Sequence, residues 1–564
     1  MSTNRAPAGA GSKPARTVTR RQAVRATAAG AATLLIACSR GKSGGQSRGA
    51  AGQSAQPKPG GQLNIPTSLD PFDFDPTSRP SENRNPIGMA YDSLLSVKFG
   101  PDVKYTDLVI APNLAGSWET PDAQTFTFHL RPGIQFANLP PVNGRKVDSA
   151  DAKWSIEYLS RTGSLKDSSI PPSLNAPMFT GLDRVETPDA STMVVRFGEP
   201  FIPFLSYVAL EWNPLLAHEV FERDGNFSNT LAGTGPWQLD VAASQKGTRW
   251  VYKRNPAYFL PGRPYIDQVN YLVLREDATR FAAFQARQVD FAPGSDVGDL
   301  QDVQVGQQIR KDNPRAIVSE YLATGGGHLY ENVRRPPLND LRIRKAMALS
   351  INRDEFIKVF SGGSGDWAIA GAPEGLFTQE EIKGIVSFDP AQAKQLVSAA
   401  GYPSGLDIEF FLTQDRGQAF INTIQLLQSQ LKQANINLVL KPTDRATIGK
   451  NRQTGNFQLD YDLKTQDTDL DSYLFQTFYS KSPGNYTGID DPDLDKLLLA
   501  QRREVDSAKR KEIFRQAARR IADQAWSAAL FHGTAYAFWQ PEVRNFNMNF
   551  CHRCLPVLNT WLDR

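Results

Sequence analysis

Apolar and polar residues alternate with period two in some stretches of this chain and recur with helical period in others. Gln124-Thr125-Phe126-Thr127-Phe128-His129-Leu130 and Thr248-Arg249-Trp250-Val251-Tyr252-Lys253 alternate, which predicts strands with one buried face. Val269 to Leu274 and Ile436 to Leu440 are rich in β-forming residues and predict two more. Helices are announced by their ends. Asp389 stands as N-cap before Pro390; Leu396, Val397 and Ala400 then share a face, and Gly401 closes the segment. Asp491-Pro492 repeats the device ahead of Leu494, Leu497 and Leu498, while Asp340 and Asn352 are expected to cap two further helices, the second ending at Gly362-Gly363. Strands interleaved with helices predict an α/β fold with both parallel and antiparallel pairing. No fixed-period repeat is visible.

Composition narrows the class. The 564 residues are 40% hydrophobic and 22% charged, as in a globular protein, and at roughly 150 residues per domain they suggest three or four structural units. Three cysteines exclude a small disulfide scaffold. The net charge is +4, yet ten Lys/Arg residues precede the first acid, Asp70; the remaining 53 basic and 59 acidic residues leave the body at −6. A nucleic-acid partner, which calls for a basic face on the folded domain, is therefore not expected.

The basic excess lies in a leader. Arg16, Arg20, Arg21 and Arg25 run into the apolar stretch Ala31 to Ala37, the layout of an export signal over residues 1–37, too short for a permanent membrane span. Arg20-Arg21 resembles a twin-arginine signal, and Leu35-Ile36-Ala37-Cys38 resembles a lipobox, in which Cys38 carries the lipid. Residues 39–60 are Gly, Ser, Gln, Ala and Pro with four basic residues, Arg40, Lys42, Arg48 and Lys58, and no apolar periodicity, so 38–60 reads as a flexible tether. The expected location is the outer face of the cytoplasmic membrane or the periplasm, held by the lipid anchor.

Enzyme signatures are sparse. The five histidines fit no metal-protease spacing, and neither a Gly-x-Ser-x-Gly elbow nor a phosphate-binding loop occurs. No metal, cofactor or catalytic residue is expected. Cys551-His552-Arg553-Cys554 could be a redox pair, half of a zinc site or a structural disulfide; export favours a Cys551–Cys554 disulfide. Acids cluster at Asp460, Asp462, Asp467, Asp469 and Asp471, followed by Tyr473, Phe475, Phe478 and Tyr479. Paired acids suit glycosidase chemistry and alternating ones suit calcium, although the glycine and glutamate of a calcium loop are missing. A solvated loop, or one acid facing a cationic ligand group, also fits.

Five ordered blocks resemble the family 5 extracellular solute-binding proteins, the peptide- and nickel-type receptors of ABC importers. They are Ile110 to Glu119 with Thr125 to Phe136 and Asp148 to Ala152; Gly233-Thr234-Gly235-Pro236-Trp237 with Asn255 to Phe259; Pro337 to Ala346 with Ile351 to Arg353; Asp389 to Tyr402; and Asp491 to Asp495. The resemblance implies a two-lobed periplasmic-binding-protein fold of type II. Lobe I would comprise 61–90, 230–326 and 528–564, with an inserted subdomain at 91–229, and lobe II would comprise 327–527. It also implies a monomer that binds a peptide or other small solute by hinge closure and passes it to a membrane permease. In peptide-binding relatives an acid in a loop bearing Trp and Asp-Pro pairs with the ligand amino group. Here that stretch is Lys464 to Asp471, with no Trp and with Leu470 in place of Pro, leaving Asp467 or Asp469 as the anchor. Ser68, Leu69, Trp237, Asn485 and Tyr486 complete the implied ligand-binding set. Two alternatives stand beside this reading: a secreted hydrolase using the 460–471 acids, and a surface sensor or chaperone on the same fold.

Overall fold

A computed structural model describes residues 56–564, apart from 69, 71–72, 79–86, 101, 104–108, 167–168, 293–302, 323–326, 373–374, 414–416, 464–468, 483 and 548–556. The expected export signal, Cys38, the expected tether up to residue 55, and Cys551 and Cys554 lie outside the described residues, as do Leu69 and Asp467. No described helix is long and apolar enough to cross a membrane.

Three sheets carry the body. In the first, Gln62–Thr67 pairs in parallel with Gln268–Val273, which continues antiparallel through Arg249–Arg254 to Trp237–Leu239. The second is antiparallel, in the order Ala115–Glu119, Thr125–Leu130, Thr192–Phe197, Leu182–Asp189. Helix Ser149–Ser160 packs against it, started by an Asp148 capping box. The third runs Ile436–Pro442, Leu406–Leu412, Leu459–Leu463, Gly327–Glu331, Ser527–Ala529, with its first two strands parallel in register from Leu406 opposite Ile436. The architecture is α/β, with the mixed pairing the pattern predicted.

Local chemistry made these elements where the sequence expected them. Asp389 accepts from the Gln392 amide at 2.8 Å, Asp491 from Leu494 at 2.7 Å, Asp340 from Arg342 at 2.8 Å and Asn352 from Glu355 at 3.2 Å, each satisfying an orphan amide of a first turn. The block Gly233-Thr234-Gly235 has a packing reason. A Cβ on Gly233 would meet the Ala90 carbonyl oxygen at 2.2 Å, and one on Gly235 the Ala90 carbonyl carbon at 2.3 Å, so two chain segments approach closer than any side chain permits.

The first and second sheets share one apolar core, which includes Leu63, Phe126, Phe128, Phe204 and Trp237. The third sheet and its helices form separate cores around Ile408, Leu427 and Leu438 and around Leu474, Phe478 and Leu498. The strand Phe531–Trp539 joins the two bodies. Its beginning pairs with Gly365–Trp367 and its end with Ile317–Leu322, so one continuous strand runs from the side of the third sheet to the side of the first.

Candidate ligand cleft

The acid-rich stretch leaves the third sheet at strand Leu459–Leu463 and re-enters regular structure at helix Leu470–Phe478. Asp469 caps that helix, its carboxylate accepting from the Asp471 amide at 2.8 Å. The same carboxylate takes two bonds from the Arg510 guanidinium, at 2.7 and 2.9 Å, and both residues are buried. Asp469 is therefore not the free negative charge that the resemblance implied. A cationic ligand group would compete there with an arginine already held in fork geometry.

Asp471, one helical step on, is wholly buried and holds Arg502 in a second fork at 2.7 and 2.8 Å. It also accepts from Gln501 and, at 2.5 Å, from the Tyr207 hydroxyl. The Gln501 side-chain oxygen in turn accepts from Arg510 at 3.0 Å, so five side chains from three helices join the two forks into one network. Burial disfavours the charge on Arg502, but Asp471 outweighs it and holds that guanidinium above its ordinary range; Asp469 does the same for Arg510. Burial, with the Asp471 charge behind it, pushes the Tyr207 phenol well up, so its proton stays in place as a donor.

Asp460 is likewise paired, with Arg452. Three acids of the 460–471 run thus have their charge met by arginine. General acid–base work needs a carboxyl open to substrate, and these three are buried against their arginines. The second metal-like grouping resolves the same way. Asp151, His218 and Glu219 converge within 4.8 Å, but the Arg145 guanidinium sits among them, at 2.6 Å from Asp151 and 2.8 Å from Glu219.

A polar aromatic cluster adjoins the acid-rich stretch. His328 and Tyr330 project from one face of strand Gly327–Glu331, which pairs with Leu459–Leu463. The Tyr473 hydroxyl lies 3.4 Å from His328 Nδ1 and 3.4 Å from the Tyr330 hydroxyl. Sequence reasoning passed over His328 because it matched no catalytic spacing; its place beside the acidic strand is a product of sheet register.

The other sequence-derived candidates are scattered. Ser68 is half-buried at the end of the first strand, next to Asp70, which accepts from the Trp250 indole at 2.7 Å. Trp237 is fully buried in the first sheet and donates to the Ile266 carbonyl at 3.2 Å, so it packs the core of its own lobe and presents no ring face to a cleft. Asn485 organises a turn. Its amide nitrogen donates to the Ile489 carbonyl at 2.7 Å, and its oxygen accepts from Gly488 and Ile489. Tyr486 beside it is exposed. Tyr207, Arg502 and Arg510 gave no sequence signal, since isolated arginines and tyrosines are common on any surface helix.

Residues 109–486 match the family described as bacterial extracellular solute-binding proteins, family 5 Middle. The chain belongs to this family. Among its relatives, a probable D,D-dipeptide-binding periplasmic protein of Escherichia coli K12 is 26% identical over 87% of this chain and 92% of its own length. The dipeptide-binding protein of the same organism is 23% identical over 81% and 86%. Among solved structures, the periplasmic binding protein DppA from Helicobacter pylori, in complex with the peptide STSA, superposes with a TM-score of 0.75 at 22% identity, over 90% of this chain and 99% of that one. AgaA of A. tumefacien R10, in complex with agropinic acid, reaches 0.74 at 24%, over 89% and 99%. The protein shares the two-lobed architecture of these binding proteins and is an extracellular solute-binding protein.

Proposed function

We propose that this protein is the substrate-binding component of an ABC importer, capturing a small peptide between its lobes and delivering it to a membrane permease. The observation that supports this reading most is the length of the likeness: the dipeptide-binding relatives match along more than four-fifths of this chain and of their own length. Closure around a solute excludes water and strengthens each polar contact inside, so affinity arises without any bond being made or broken. Asp467 is the proposed partner of the ligand amino group, because Asp469 is committed to Arg510. The lipid at Cys38, with residues 39–60 as tether, would keep the receptor at high local concentration beside its permease. Cys551 and Cys554 are proposed to be bonded in that exported setting, and the receptor is proposed to act as a monomer.

Native mass spectrometry of the freshly purified protein tests the reading. A non-covalent small-molecule adduct whose fragments are amino acids is the expected result. Turnover of added dipeptides by the isolated chain, or failure of every dipeptide and tripeptide tried to raise its melting temperature, would overturn it.

A further inference from the structure

Arg353 opens the helix Arg353–Phe360 and is fully buried. Its Nε donates to the Ala529 carbonyl at 3.1 Å, and its guanidinium carbon lies 5.7 Å from the centre of the Trp367 ring. The two terminal nitrogens, Nη1 and Nη2, are buried and bond to nothing among the described residues. The acids beside it on the same helix are engaged elsewhere: Asp354 accepts from the Trp367 indole at 2.6 Å, and Glu355 from the Gln430 side-chain amide at 2.8 Å. Lys383 stands 5.4 Å from the centre of the same Trp367 ring and adds positive charge to the neighbourhood.

Two other buried arginines are provided for. Arg502 and Arg510 each hold a carboxylate in a fork. Burial is the only influence on Arg353 and pulls its guanidinium down to about 10, which leaves it a cation at neutral pH. Water completes the hydrogen bonds of two such nitrogens but cancels no charge, and an unpaired ion in a medium of low dielectric is expensive. An anion supplies the acceptor and the counter-charge together.

We propose that Nη1 and Nη2 of Arg353 hold a small inorganic anion of the chloride class inside the body that carries the third sheet. The guanidinium offers its N–H groups as a rigid fork, the form in which arginine takes anions. Complete burial favours a monatomic ion that sheds its water readily over a charged group attached to a larger solute. The remaining bond of Arg353 gives the anion a structural consequence. Ala529 ends the strand Ser527–Ala529, and Phe531 two residues on begins the strand that joins the two bodies. An anion that steadies the guanidinium therefore steadies the root of that joining strand. The proposal stands apart from the identity of the transported solute.

The test titrates chloride into the full-length protein at constant ionic strength, with gluconate, an anion too large for a buried site, as the balance. The melting temperature should rise saturably, by about 2 °C once chloride exceeds its dissociation constant tenfold, and bromide should act alike. Arg353→Met should abolish that dependence. Should the variant not fold, wild-type crystals grown in bromide supply the second measurement, with an anomalous scattering peak expected beside Nη1 and Nη2 of Arg353. Equal melting temperatures in chloride and gluconate would overturn the proposal, as would a chloride dependence that persists in Arg353→Met. Bromide peaks confined to surface cations, an adventitious ion only, would overturn it too.

Discussion

Asp469 and Arg510 meet in a buried two-pronged pair at 2.7 and 2.9 Å, and the same carboxylate starts the helix that follows it. Asp469→Asn leaves the guanidinium buried without a counter-charge, which costs about 3–5 kcal/mol. Urea unfolding should show that loss as a lowered midpoint at unchanged slope. An unaltered midpoint would mean that Arg510 finds another partner.

Asp467 is expected to behave differently. As the proposed ligand anchor, its Asn variant should weaken the solute identified by mass spectrometry by about 1.5–3 kcal/mol, the worth of a hydrogen bond to a charged group, while the unfolding midpoint stays put. Calorimetry giving the same affinity for both proteins would remove Asp467 from the site. The contrast between these neighbours is informative, since one sequence signal pointed to both.

Stability should vary with pH on both sides of neutrality. Glu331 is fully buried, and burial raises its carboxyl from the ordinary 4.5 to about 8. Between those values the folded chain keeps a proton that the unfolded chain releases, so stability falls as pH rises through that window. Glu331→Gln should flatten the slope and be the more stable protein at pH 9, by an amount approaching about 1.4 kcal/mol per unit of raised pKa. His532 works in the other direction. Burial lowers it from 6.5 to about 4, so its contribution is present above 6.5 and lost as pH falls through 4. Melting curves from pH 4 to 9 would check both; a wild-type and Gln pair that run parallel above pH 5 would contradict the assignment to Glu331.

Cys38→Ala should move the protein from the membrane fraction to the soluble one, because removal of the acyl chains removes the apolar area that binds the bilayer. A variant that still sediments with membranes would refute lipidation at this position.

Much of the molecule was determined by sequence alone. Asp389, Asp491, Asp340 and Asn352 each cap the helix their spacing announced, because a cap bonds an amide two or three residues away and needs no distant partner. The strands followed for a similar reason: period-two alternation records which face is buried, whatever lies beyond it. The order of the blocks was enough to indicate the family and its fold.

Tertiary structure decided which charges remain available. Asp469, Asp471 and Asp460 look alike in sequence, yet Arg510, Arg502 and Arg452 neutralise them from 41, 31 and 8 positions away. Trp237, one of the implied ligand-binding candidates, lies in the core of the first sheet, while Tyr207 carried no signal and donates to Asp471 across the two bodies. Local pattern encodes where a side chain points relative to its own element. Whether a buried charge meets a partner depends on how separate elements pack, and no single segment holds that information.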